Sequence, residues 1–284
     1  MSIKNIKIIS GAFFVIAIAV VLYLFLKDQE KQDFPKEYTV EKVWNLPREL
    51  DEVSGIAWLE DGKLLMVQDE EGALFIFDLN FNEVTQKIPF GDDGDYEGVT
   101  VVGQNAYVLR SDGMVFQIEN FQSDMPHVTQ YESEFSSRNN MESLTYDIKR
   151  NVLVVVPKDR DTSDDFKGLY EISIGDWTID TIPKVKIKMG DTIFMGVEKK
   201  KIHHTFSPSD IAIHPISRSY YVLDGRRPKL LLLDPAGGLQ RLIRLDRKRF
   251  PQPEGITFSP NGTLYISNES TGGVATVIRL RLKE

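Results

Sequence analysis

A four-residue phrase returns five times along this 284-residue chain, and its spacing leaves few folds open. It reads Val53-Ser54-Gly55-Ile56, Tyr96-Glu97-Gly98-Val99, Met141-Glu142-Ser143-Leu144, Ser209-Asp210-Ile211-Ala212 and Pro253-Glu254-Gly255-Ile256. The steps between Ser54, Glu97, Glu142, Asp210 and Glu254 are 43, 45, 68 and 44 residues. Four-stranded propeller blades repeat at about 40–45 residues. The long step is too short for two blades, so it reads as one blade plus an insertion of roughly twenty residues, placed within 175–204. Helical periodicity is nearly absent after Lys36, and short apolar or alternating runs are punctuated by Gly, Asp, Asn and Pro. The prediction is an all-β, five-bladed β-propeller over residues 37–284. Its last repeat offers only three strands, while 38–46 precedes the first phrase with no blade of its own. Donating that segment to the last blade closes the ring and removes an exposed sheet edge.

Residues 8–26 carry no charge and no proline. At ~1.5 Å rise per residue, such a helix spans about one hydrocarbon core. Lys4 and Lys7 precede it and a mixed, polar stretch follows. The positive-inside rule then leaves the N-terminus in the cytoplasm and the propeller on the extracytoplasmic, periplasmic side. Residues 1–27 are therefore expected to form a single-pass transmembrane helix anchoring the chain in the cytoplasmic membrane, and 28–36 a tether. The alternative is a cleaved signal peptide, whose apolar core is usually shorter.

In a propeller blade, the start of the first strand lies beside the end of the second, and both open at one mouth of the channel. The phrase should bring Glu97, Glu142, Asp210 and Glu254 together there, with Ser54 in the first blade. Loops ending the second strands add Asp69, Asp224 and Glu269. At ~5 Å and an effective dielectric of ~20, each close carboxylate pair repels by ~3 kcal/mol. Protonation or a bound cation must relieve this. Calcium takes six to eight oxygens with loose geometry, which such a ring supplies, whereas zinc prefers nitrogen or sulfur. The expected ligands are Glu97, Glu142, Glu254, Asp210, Asp69, Asp224 and Glu269. Against this stands a structural reading in which the acids are blade-to-blade staples neutralised by Arg110, Lys158, Arg226 and Arg227.

The phrases Glu-Gly-Val-Thr at 97–100, Glu-Ser-Leu-Thr-Tyr-Asp at 142–147, Ser-Pro-Ser-Asp-Ile-Ala at 207–212 and Pro-Glu-Gly-Ile-Thr at 253–257 make a set. With the ending Asn-Gly-Thr-Leu-Tyr-Ile-Ser-Asn-Glu at 261–269, this set resembles the SdiA-regulated family, a distant relative of NHL-repeat proteins. The resemblance implies a five-bladed propeller with bound calcium, with Glu97, Glu142 and Glu254 as acidic channel positions. Asp210 departs from the small residue expected in the fourth blade. No activity comes with the resemblance.

A net charge of −8 and a pI near 5.2 argue against nucleic acid. The absence of cysteine removes disulfides, thiolate metal sites and thiol nucleophiles. His127, His203, His204 and His214 lack the spacing of a zinc site, and the basic cluster Arg241, Arg244, Arg247, Lys248 and Arg249 suits an anionic partner or lipid headgroups. Two functions remain in view. One is a monomeric module that binds a protein or small-molecule ligand. The other is a metal-dependent hydrolase of lactonase or phosphoesterase type, with Glu97 or Asp69 as general base.

Overall fold

The computed structural model describes residues 37–283, so the expected anchor and tether lie outside the described residues. Among the described residues no helix is long and apolar enough to cross a membrane. The described residues form twenty strands in five four-stranded antiparallel sheets. β1 (Tyr38–Asn45) comes first. Blade 1 is β2 (Val53–Trp58), β3 (Lys63–Gln68), β4 (Ala73–Asp78) and β5 (Glu83–Pro89). Blade 2 is β6 (Tyr96–Val102), β7 (Asn105–Arg110), β8 (Val115–Glu119) and β9 (His127–Tyr131). Blade 3 is β10 (Met141–Asp147), β11 (Val152–Pro157), β12 (Phe166–Ser173) and β13 (Val185–Lys188). Blade 4 is β14 (Pro208–Ile213), β15 (Tyr220–Asp224), β16 (Lys229–Leu233) and β17 (Leu239–Arg244). Blade 5 is β18 (Pro253–Phe258), β19 (Leu264–Asn268) and β20 (Thr276–Leu282), completed by β1. β1 runs antiparallel to β20, with Tyr38 opposite Leu282 and Asn45 opposite Thr276. The segment without a blade thus closes the ring, as its position predicts.

Each sheet is buried on both faces, which explains why the middle strands read as nearly continuous apolar runs. Side chains alternate across a strand. In β3, Leu64 and Met66 therefore join the core shared with blade 5, while Leu65 and Val67 join the one shared with blade 2. Five such cores fill the five gaps between blades. The fourth strands are different: in β5 only Ile88 is fully buried, so this strand faces water and is the polar edge of its blade.

The extra length of blade 3 is spread more widely than the spacing suggests. Part lies in the 158–165 loop between β11 and β12, and part before β13. The rest follows β13 as an arm with two short 3-10 turns, Thr192–Phe194 and Ile202–His204. Packing of Phe194 on Phe206, with ring centroids 5.6 Å apart, ties that arm to the body.

Candidate functional site

The five inner strands, β2, β6, β10, β14 and β18, neighbour one another around the channel. Each carries a break in register at its start. Tyr96 pairs with Arg110 and Gly98 with Leu109, leaving Glu97 unpaired; Glu142 and Glu254 are bulged in the same way. A bulge bends the strand and re-aims the extra side chain. Here it is the device that turns the glutamates of the repeated phrase toward one another.

The ladder also corrects the alignment of the fourth blade. Pro208 pairs with Asp224 and Asp210 with Leu223, so Ser209 holds the glutamate position. Asp210 instead occupies the place of Gly98, Ser143 and Gly255, where the backbone of the next inner strand passes close by. A Cβ on Gly255 would stand 3.0 Å from Ile56 N and in hard contact with Ser54 O. Asp210 turns this closeness into hydrogen bonds. Its Oδ1 accepts from Ile211 N at 2.8 Å and Leu144 N at 3.3 Å, and its Oδ2 accepts from Ile256 N at 2.8 Å. It is buried, and burial drives its carboxyl well above the usual range against the pull of those three amides.

Above Asp210, the mouth gathers Glu97, Glu142 and Glu254 around Lys158. The Lys158 ammonium is ion-paired to Glu142 Oε2 and lies 3.6 Å from Glu254 Oε2. Lys158 follows β11, its N–H donates to Asn140 O at 2.9 Å, and its carbonyl accepts from Lys167 Nζ at 2.9 Å. Asn140 Nδ2 donates to Glu142 Oε1 at 2.6 Å. Burial pushes all three glutamate carboxyls up. Glu142 adds to the effect on Glu97, and the Lys158 charge opposes it in all three. Burial also works against the Lys158 ammonium, but Glu254 and Glu142 outweigh it and raise its affinity for the proton.

A second acidic arc adjoins this cluster. Asp69 and Glu269 occupy the same place after β3 and β19 that Lys158 occupies after β11. Burial, then Glu52 and Asp95, lift the Asp69 carboxyl to about 6. Burial and a hydrogen bond with Glu52 lift Glu269 to about 8, and Gln252 donates to Glu269 Oε2. In blade 4 the equivalent place is Gly225, where a Cβ would meet Pro253 O at 2.7 Å and both Glu254 carboxylate oxygens at 3.0 Å.

Of the seven expected ligands, then, Glu97, Glu142 and Glu254 share one cluster, and Asp69 and Glu269 share the adjoining arc. Asp224 lies close enough to raise the Glu254 carboxyl but is engaged by other donors: its Oδ2 accepts from Lys229 Nζ at 2.7 Å and Ser207 N at 3.2 Å, and its Oδ1 from Arg227 N at 2.9 Å. Sequence reading offers Lys158 as a counter-charge to the ring and does not single out Glu52. Trp58, Trp177 and Phe250 are packing residues, on Tyr265, Tyr131 and Tyr38 respectively.

Residues 34–272 match the SdiA-regulated family, and the chain belongs to it. The fold is shared with glutaminyl cyclase from Myxococcus xanthus, at 14% identity, with 87% of this chain and 96% of that one covered and a TM-score of 0.60. It is shared also with PQQ-bound aldose sugar dehydrogenase from Streptomyces coelicolor, at 13% identity, 87% and 98% coverage and a TM-score of 0.54. No curated protein matches the chain.

Proposed function

We propose that this propeller is a membrane-anchored, extracytoplasmic binding module whose acidic mouth takes up calcium and presents a ligand-binding face. The observation that carries the reading is an excess of buried acceptor oxygens at one mouth. Three glutamates share a single lysine there. Asp69 Oδ1 and Asn268 Oδ1 are buried without a hydrogen-bond donor, and Glu142 Oε2 and Glu254 Oε2 have only Lys158 for company. A set of oxygens lacking donors suits a hard cation. Among the described residues no three Asp, Glu or His side chains gather closely enough to hold an ion as they stand. Calcium therefore has to draw Glu97, Glu142 and Glu254 inward and displace the Lys158 ammonium. When bound, it would rigidify the mouth; the surrounding loops would carry recognition. The anchor rests on the uncharged run 8–26.

Metal analysis and thermal melts of the chain with calcium or chelator test this. The expected result is one calcium retained and a higher melting temperature. No metal after dialysis, with a melt indifferent to chelator, would overturn it. A hydrolytic alternative draws on Asp69, half-buried with its carboxyl lifted to about 6, which suits a general base near neutral pH. An Asp69→Asn variant that keeps calcium but loses lactone or phosphoester turnover would favour that reading.

A further inference from the structure

The basic cluster on blade 4 takes no part in the acidic mouth. Beside the turn that joins β15 to β16 lies a separate cavity of about 270 Å³. Five cationic side chains line it, Lys199, Arg227, Lys229, Arg244 and Arg247, and no carboxylate is among its lining residues. Such a concentration is notable in a chain of net charge −8. One wall comes from the arm after β13, through Gly196 and Lys199, and the facing wall from the end of β17. The long insertion of blade 3 therefore builds this pocket.

Some of these cations are engaged. Lys229 Nζ donates to Asp224 Oδ2 at 2.7 Å and to Arg227 O at 2.8 Å. Arg247 Nη2 donates to Arg226 O at 2.7 Å, and Leu245 N to Pro228 O at 2.9 Å, which fixes the pocket floor. Glu198, the nearest acid on the arm, accepts from Gly196 N at 2.6 Å. The Arg227 side chain is different. Its Nε and Nη2 are buried and have no hydrogen-bond partner. Those two donors form one edge of the guanidinium, the fork that grips two oxygens of a single anion. Buried donors on a charged group are costly when unmet.

We propose that this pocket binds a phosphate group, flanked by Lys199, Arg244 and Arg247 and gripped bidentately once the Nε–Nη2 edge of Arg227, shut off from solvent as it stands, turns into the pocket. A lone carboxylate would be matched by Arg227 alone, whereas several converging cations suit the double charge of a phosphate monoester. The volume falls below the ~300–1,000 Å³ of drug-sized ligand pockets, so the rest of the ligand projects outward. None of the mouth residues Glu97, Glu142, Glu254, Asp69 and Glu269 lines it.

Isothermal titration of the full chain in mild detergent, with inorganic phosphate at ~150 mM salt to screen diffuse attraction, tests it. Saturable binding is expected, weakened about tenfold or more in Arg227→Lys, which keeps the charge but loses the fork. Lys199→Gln, on an exposed side chain, should also weaken binding. Lys248→Gln, in the same cluster but not lining the pocket, should leave it unchanged. Glycerol 3-phosphate and a water-soluble short-chain phosphatidic acid identify the source. Tighter binding of the lipid assigns a headgroup, and equal or tighter binding of glycerol phosphate assigns a soluble monoester. Absence of saturable binding, or equal affinity in the parent and both pocket variants, overturns the proposal.

Discussion

Replacing Lys158 with methionine removes the ammonium at the centre of the acidic mouth and leaves a side chain of similar length, so the effect is electrostatic rather than a cavity. The Lys158 side chain is 12% exposed, and its partners Glu142 and Glu254 are 2% and 8% exposed. Removing one partner of a buried ion pair costs about 3–5 kcal/mol. For a domain of this size each kcal/mol moves Tm by ~2–4 °C, so Lys158→Met should melt roughly 6–20 °C below the parent in chelator. The three glutamates can relieve their repulsion by binding protons. The deficit should therefore be largest near pH 8 and shrink toward pH 5. Calcium at a hundredfold excess over its Kd should return about 2.7 kcal/mol. Circular-dichroism melts of parent and variant, at both pH values and with chelator or calcium, read all of this. A variant that melts with its parent at pH 8 in chelator refutes the counter-charge role of Lys158. A variant that melts low and is not rescued by calcium leaves that role standing and refutes the calcium proposal.

Three further outcomes are expected. In chelator, stability should fall as pH rises from about 4 to about 8. Asp69 and Glu269 have folded pKa values near 6 and 8, above their ordinary ones, so the folded chain binds more protons across that window; a rising melting temperature there would contradict the burial of these acids. Asp210→Asn turns an amide toward backbone N–H groups that now find carboxylate oxygen, costing ~2–4 kcal/mol by denaturant melts while leaving calcium affinity unchanged. A large loss of calcium affinity would instead make Asp210 a ligand. Gly255→Ala should destabilise the ring by ~1–3 kcal/mol or more, because its Cβ runs into Ser54 O on blade 1; an unchanged melt would mean that blades 5 and 1 are less tightly joined than they stand here.

The blade count and the closing strand were legible before any coordinates. Repeat length is a property of the chain, and a segment with no blade has one place to go in a closed ring. The anchor expected from the apolar run 8–26 lies outside the described residues. The membership of the mouth was not legible in the same way. Asp210 shares the chemistry of Glu97 and Glu254, and only the ladder shows that the fourth-blade phrase is displaced by one residue. That single step decides whether a carboxylate faces the channel mouth or the backbone amides of two other blades. Lys158 and Glu254 are far apart in sequence, as are Glu52 and Glu269, and each pair meets only because five inner strands converge on one axis. Sequence periodicity reports which way a side chain faces along a regular strand. At each bulge the period breaks, and what the side chain meets is then set by the neighbouring blade.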